Sequence, residues 1–140
     1  MQSSFSLRTR TRTAFVDITA DVQGAVRELG VEDGAVVVYV PHTTAGVTVN
    51  ESADPDVAGD IERRLSELAP ESGRYHHTEG NADAHIKSTL VGCSQILLVH
   101  DGRLSLGTWQ GVFFCEFDGP RARQVIVSTL GGSCREGGAP

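Results

Sequence analysis

The sequence predicts an α+β fold: largely antiparallel sheets packed as a β-sandwich, with about three short helices against one face or end. Three observations carry this. Several stretches alternate apolar and polar residues with a period of two, three others repeat apolar residues at helical spacing, and the strand-like stretches meet mainly through short turns such as Asp101-Gly102. Parallel pairs would need long crossovers instead.

Taken in order, Phe5, Leu7, Thr9, Thr11, Thr13 and Phe15 share one parity, which predicts a single half-buried first strand. Arg8, Arg10 and Arg12 take the other parity, a charged face that protects an edge strand or binds an anion. Thr19 or Asp21 can cap a helix through Val22, Val26 and Leu29, with Gly30 as its C′ residue. Val36 to Val40 is a fully apolar central strand ended by Pro41, and Ala45, Val47 and Val49 mark another strand running into Glu51. Asp54-Pro55 starts a second helix, since a capping carboxylate precedes a proline at N1, where the missing N–H costs nothing. Its stripe is Val57, Ile61, Leu65 and Leu68.

Gly73 to Gly80 reads as a loop, followed by a short helix with Ala82, Ile86 and Leu90 on its apolar side and Asn81, His85 and Ser88 on the other. Gly92 closes it. The remaining strands are Gln95 to Val99, Arg103 to Trp109, Val112 to Phe117 and Arg123 to Leu130, making about seven in all, and Gly131 to Pro140 reads as a frayed tail. Within the third of these, Phe113, Cys115 and Phe117 oppose Glu116 and need cover, which a neighbouring subunit supplies most economically.

Residues 1–140 suit one domain with one core. A formal net charge of −6 argues against nucleic acid as partner. Cys93, Cys115 and Cys134 are an odd count without a CxxC pair, which fits a reducing cytoplasm, and no apolar run is long enough to span a bilayer. Neither a phosphate-binding GxxxxGK[ST] loop nor GxGxxG occurs, so no nucleotide cofactor is expected, and no GxSxG elbow occurs either.

Chemistry therefore rests on scattered residues. Of the five histidines, adjacent His76 and His77 point to opposite sides of an extended chain, so only one can join a given site. No HExxH signature is present, so a metal site must be assembled from distant segments. Glu51 follows Asn50 at a strand-to-loop junction, where active-site residues often sit. Glu116 shares the parity of Val112 and Phe114, where an isolated buried carboxylate is costly, so it needs a partner; Arg121 and Arg123 are the two candidates. Gln110 shares its face unless Gly111 introduces a bulge.

Pro41-His42-Thr43-Thr44-Ala45, Asn50-Glu51, Asp54-Pro55-Asp56-Val57, Ala84-His85-Ile86-Lys87-Ser88 and Leu106-Gly107-Thr108-Trp109-Gln110-Gly111 resemble, in order, the signatures of the YjbQ-like family, over about Phe5 to Gly131. The resemblance implies a homotrimer with a polar pocket near the subunit contacts. It implies His42, His77 and His85 as the metal-binding histidines, with His76 and His100 outside their pocket. His42, Glu51, His85 and Glu116 take catalytic roles, and Thr43, Asn50, Lys87, Gln110, Arg121 and Arg123 bind substrate. The implied activity is thiamine-phosphate synthase, joining a thiazole phosphate to a pyrimidine diphosphate with release of pyrophosphate. Such chemistry calls for a divalent ion, zinc-like or magnesium, although histidines suit the former better. The alternatives are a metal-assisted hydrolase or lyase on a small anionic substrate and a non-enzymatic ligand-binding trimer.

Overall fold

Eight strands and three helices follow one another in the computed structural model, which describes residues 1–135. They are β1 (Gln2–Arg8), β2 (Ala14–Asp17), α1 (Thr19–Leu29), β3 (Val31–Tyr39), β4 (Ala45–Glu51) and α2 (Pro55–Leu68). Then come α3 (Ala82–Val91), β5 (Ser94–His100), β6 (Arg103–Leu104), β7 (Gln110–Glu116) and β8 (Ala122–Cys134). Every strand pair is antiparallel. The strands form a five-stranded sheet, β1-β8-β3-β5-β6, and a three-stranded sheet, β2-β7-β4.

The main core lies between the sheets. Val36 and Val38 of β3, Val125 and Val127 of β8, and Leu97 and Val99 of β5 meet Val47 of β4 and Val112 and Phe114 of β7. Helix α1 closes this layer with Val22, Ala25, Val26 and Leu29. Val112 and Phe114 are fully enclosed, and complete burial of each such side chain stabilises by about 1.5–3 kcal/mol.

The opposite parity of β7 is covered by the chain's own helices, contrary to the expectation that a neighbouring subunit would cover it. Phe113, Cys115 and Phe117 pack with Ala84 of α3, Leu65 of α2, and Phe15 and Val91. The small sheet is thus the middle of three layers, and a short helix pair suffices because only three strands need covering.

Local signals explain the helices. Gly30 adopts φ 68°, the left-handed conformation that ends α1, and its N–H donates to Arg27 and Val26 carbonyls. At α2, the Asp54 carboxylate accepts from the Asp56 N–H at 2.9 Å, with Pro55 at the first helical position. The cap of α1 differs from expectation: neither Thr19 nor Asp21 supplies it, and the Asp17 carboxylate accepts from the Thr19 N–H at 2.9 Å and its hydroxyl at 2.6 Å. At the β5–β6 turn, Asp101 and Gly102 take φ 50° and 74°, the two positive values of a tight hairpin.

Further expectations need correction, and one alternative left open is settled. The predicted first strand is two, because the chain turns between Arg8 and Ala14 and passes from the large sheet to the small one. The turn is held by Thr9, which is buried with its hydroxyl on Glu116, and by Arg12, which turns inward instead of sharing a charged strand face. The strand expected through Trp109 stops at Leu104, and Gly131 to Cys134 extends β8 along β3 instead of fraying; residues 136–140 of the expected tail lie outside the described residues. Gly111 makes no bulge: Gln110–Glu116 pairs with Ala45–Glu51 in unbroken register, and a Cβ at Gly111 would stand 2.6 Å from that of Ser52.

The last concerns α3, whose buried side carries Asp83, Ala84, Lys87 and Ser88 while Ile86 and Leu90 are exposed. The inward polar groups satisfy one another. Asp83 accepts from Arg12 at 3.0 Å and from Lys87 at 3.4 Å, the Lys87 ammonium also reaches Ser66 Oγ at 3.3 Å, and the Ser88 hydroxyl donates to the Ala45 carbonyl at 2.6 Å. Full pairing removes most of the desolvation penalty that would otherwise expel these groups.

Candidate functional site

Helix α3 is set tightly on β4, and this places His85. A Cβ at Gly46 would stand 2.6 Å from the Gly92 carbonyl, so glycine permits the approach. The segment between α2 and α3 folds back on itself, with the Tyr75 hydroxyl donating to the Pro70 carbonyl at 2.5 Å and the Gly73 N–H donating to the same oxygen at 3.2 Å. This brings His77 to His85, with ring centroids 5.3 Å apart and the rings edge-on at 76°.

The two histidines line an open cleft of about 460 Å³ together with Arg74, Tyr75, His76 and Ile86. His76 is therefore part of the site, contrary to expectation, because the chain bends at His76 and adjacent side chains need not diverge there as in a strand. His85 also walls a second hollow of about 360 Å³, shared with Thr43, Ser88, Thr89 and Cys93. His100 lies elsewhere, its Nδ1 at 2.8 Å from the Asp33 carboxylate.

His42 is held differently from His77 and His85. Its Nε2 accepts a hydrogen bond from the Gln124 backbone N–H at 3.0 Å, a bond open only to an unprotonated nitrogen. Burial first, and then the neighbouring Arg123 charge, lower its pKa below the ordinary value, with the Glu116 carboxylate acting the other way. Among the described residues no three His, Cys, Asp or Glu side chains are disposed to hold a metal ion. His77 and His85 stand together as two imidazole donors, whereas the Nε2 of His42 is already committed to the backbone.

Glu116 has the partner its burial requires, and of the two candidate arginines it is Arg123. Its carboxylate accepts from Arg123 Nε at 2.8 Å, from Arg123 Nη2, from the Thr9 hydroxyl at 2.6 Å, and from the N–H groups of Phe117 and Asp118 at 3.1 and 3.2 Å. Burial pushes its pKa up, but the hydrogen bonds from Arg123, Thr9 and Asp118 and the Arg123 charge outweigh that, leaving the carboxyl below its ordinary value. Arg123 Nη2 also donates to Thr44 Oγ1 at 2.9 Å.

The other expected residues lie apart from the histidine cleft. Lys87 is buried against Asp83 and Ser66, 6.0 Å from the centre of the Phe117 ring. Arg121 donates to Asp118 at 2.9 Å, and Gln110 Oε1 accepts from the Gly107 N–H at 2.8 Å. Asn50 Oδ1 accepts from the Glu51 N–H at 2.8 Å. Glu51 itself lines another groove, with Asp17, Asp54 and Glu62 beside Phe15 and Phe113.

Sequence reasoning missed Arg74, Tyr75, Thr44 and Cys93. Arg74-Tyr75-His76-His77, a basic and aromatic run inside a glycine-bounded loop, is a signal that could have exposed the first two. Thr44 stands in the Pro41-to-Ala45 signature, but nothing local shows its role, because its partner is 79 positions away.

Comparison with known proteins agrees with this architecture. The family model described as UPF0047 protein YjbQ-like matches residues 3–132. The UPF0047 protein MJ1081 of Methanocaldococcus jannaschii is 53% identical over 131 residues, covering 94% of this chain and 95% of that protein. YugU of Bacillus subtilis, also a UPF0047 protein, is 48% identical over 132 residues, covering 94% and 100%. The crystal structure of an uncharacterized YjbQ/UPF0047 protein from Clostridium acetobutylicum superposes with a TM-score of 0.89 at 52% identity, covering 91% of this chain and 99% of that one. A YbjQ-like protein of unknown function from Sulfolobus solfataricus gives 0.86 at 32% identity, covering 91% and 94%. With the fold, the motifs and nearly the whole length in agreement, the chain belongs to the YjbQ-like UPF0047 family.

Proposed function

We propose that the chain is an enzyme acting on a small phosphorylated or otherwise anionic metabolite in the cleft between His77 and His85. The observation that carries this is the edge-on imidazole pair beside Arg74. Imidazoles exchange protons near neutral pH, and a guanidinium offers a planar fork suited to phosphate oxygens. Tyr75 and Ile86 add apolar surface beside the bound group.

The same two imidazoles fit a zinc-like ion as two of its four ligands, with the remaining positions filled from outside this pair. Such an ion, when bound, supplies Lewis-acid polarisation of a phosphate oxygen. Without the ion the histidines hold or move protons, and with it they serve as its ligands; in both cases Arg74 orients the anion and Lys87 has a structural role. Thiamine-phosphate synthesis, implied by the resemblance, falls within this class, as do hydrolysis and elimination.

The proposal includes assembly into a homotrimer in the cytoplasm. Support comes from the outer face of the large sheet, where Tyr39, Ile96 and Leu98 are exposed. Val37 lies opposite Ile96 and Ala35 opposite Leu98, so the apolar groups share one continuous face. No helix is long and apolar enough to cross a membrane.

Incubation with a pyrimidine diphosphate and a thiazole phosphate, with added zinc or with chelator, tests the activity. Following thiamine phosphate and released phosphates together separates coupling from hydrolysis. A fall in turnover of about 10²–10⁴ in His77→Ala and His85→Ala supports the reading, as expected for lost acid–base groups, and sensitivity to chelator assigns the two imidazoles to the ion instead. Turnover indifferent to chelator and to both substitutions contradicts it.

A further inference from the structure

We propose that the buried Glu116–Arg123 pair is a positioning device that fixes His42 as a single tautomer and sets Thr43 against the hollow it shares with His85. This deepens the proposed function and rests on that reading for its chemical purpose. A carboxylate serving as a proton carrier needs an oxygen open to substrate. Glu116 has none: it is wholly buried, one oxygen accepts from Thr9 and Arg123, and the other accepts from Arg123 and two backbone N–H groups. Its environment favours a permanent negative charge that grips one guanidinium.

Arg123 passes this constraint on. Its Nη2 donates to the Thr44 hydroxyl at 2.9 Å and to the Thr44 carbonyl at 3.3 Å, fastening the segment that follows β3. The next residue of β8, Gln124, donates its backbone N–H to His42 Nε2 at 3.0 Å. Two consecutive residues of one strand therefore hold both ends of His42-Thr43-Thr44. β3 pairs with β8 only as far as Tyr39, opposite Ile126, so beyond that point the imidazole receives an N–H that a backbone carbonyl would otherwise take.

Accepting at Nε2 places the proton of the neutral ring on Nδ1. Among the described residues Nδ1 makes no hydrogen bond, so it is left as a fixed donor for a ligand oxygen. Thr43, the neighbouring side chain, lines the hollow with His85. Glu116 and Arg123 are thus positioning residues.

Histidine-selective ¹⁵N NMR of the full chain without ligand tests the device, with His42 assigned by its loss in His42→Gln. The wild type is expected to show a protonated Nδ1 and an unprotonated, hydrogen-bonded Nε2. Thr44→Val keeps the shape but removes the hydroxyl that Arg123 grips; it should melt as a folded protein while the two nitrogen signals shift towards the average of exchanging tautomers. Thr44→Ser should restore the wild-type pattern. Glu116→Gln should resemble Thr44→Val if it folds, and Thr44→Val remains decisive if it does not. A fixed Nδ1–H tautomer surviving in Thr44→Val, or the opposite tautomer in the wild type, overturns the inference. Because the tautomer is read without ligand, a protein that binds no anion would remove the proposed function and leave this inference standing.

Discussion

The imidazole of His77, carried by a loop, stands edge-on to that of His85 on α3, their ring centroids 5.3 Å apart. The ten residues of α3 set one partner, and the turn tied to the Pro70 carbonyl sets the other. Replacing either with alanine should therefore remove function and spare the fold, since His77 is exposed and His85 only partly buried. Thermal melting should change by less than about 1 kcal/mol in stability while zinc and anion binding fall at least tenfold. Equal losses of stability and binding would assign the pair a structural role.

Glu116 makes the fold acid-sensitive. Its carboxyl is held below the ordinary value by Arg123, Thr9 and backbone N–H groups, so the unfolded chain binds the proton more readily than the folded one. The stability it contributes is complete above the unfolded glutamate pKa of about 4.3 and is lost as pH falls through the lower folded value. Denaturant titrations from pH 7 to pH 3 should show this loss. Removing the carboxylate in Glu116→Ala strands the Arg123 charge and should cost about 3–5 kcal/mol at pH 7.

The sequence was most legible where the cause was local. Asp54-Pro55 announced α2 because the capping carboxylate and the proline act within one turn. The parity of Glu116 showed that it would need a charge partner, and Arg123 is that partner. Distant and cooperative effects were less legible. Apolar periodicity turns Ile86 and Leu90 of α3 inward, and it cannot reveal that Asp83 and Lys87 are buried instead as a satisfied set with Arg12 and Ser66. The alternation predicts one strand through Phe15 because nothing in it shows that Thr9 will turn to Glu116. The resemblance groups His42 with His77 and His85, and nothing local shows that its ring also accepts a backbone N–H from a residue 82 positions away.

Assembly should depend on the large sheet's outer face. Asp at both Ile96 and Leu98 places charges where the proposed subunit contact needs apolar surface, and neither side chain belongs to the core. Sedimentation should then show monomers that retain wild-type circular dichroism, against trimers for the wild type. Unchanged trimers would move the contact to another face.

The three thiols should differ in reactivity. Cys93 and Cys134 are exposed, whereas burial, and then the nearby Glu62 charge, push the Cys115 pKa far up. Iodoacetamide on the native protein should label the first two, and Cys115 only after unfolding. Because Cys93 lines the hollow with His85 and Thr43, its modification should weaken anion binding, while Cys93→Ser should bind normally and become insensitive to the reagent.

The claim that the His77–His85 cleft receives an anion is tested most directly by titrating ¹⁵N-histidine-labelled protein with inorganic pyrophosphate, with and without zinc, and following each ring by NMR. Saturable shifts of His77 and His85 together, with His100 unmoved at its exposed pairing with Asp33, are the predicted result. Pyrophosphate that moves neither cleft ring, with zinc or without it, would contradict the account.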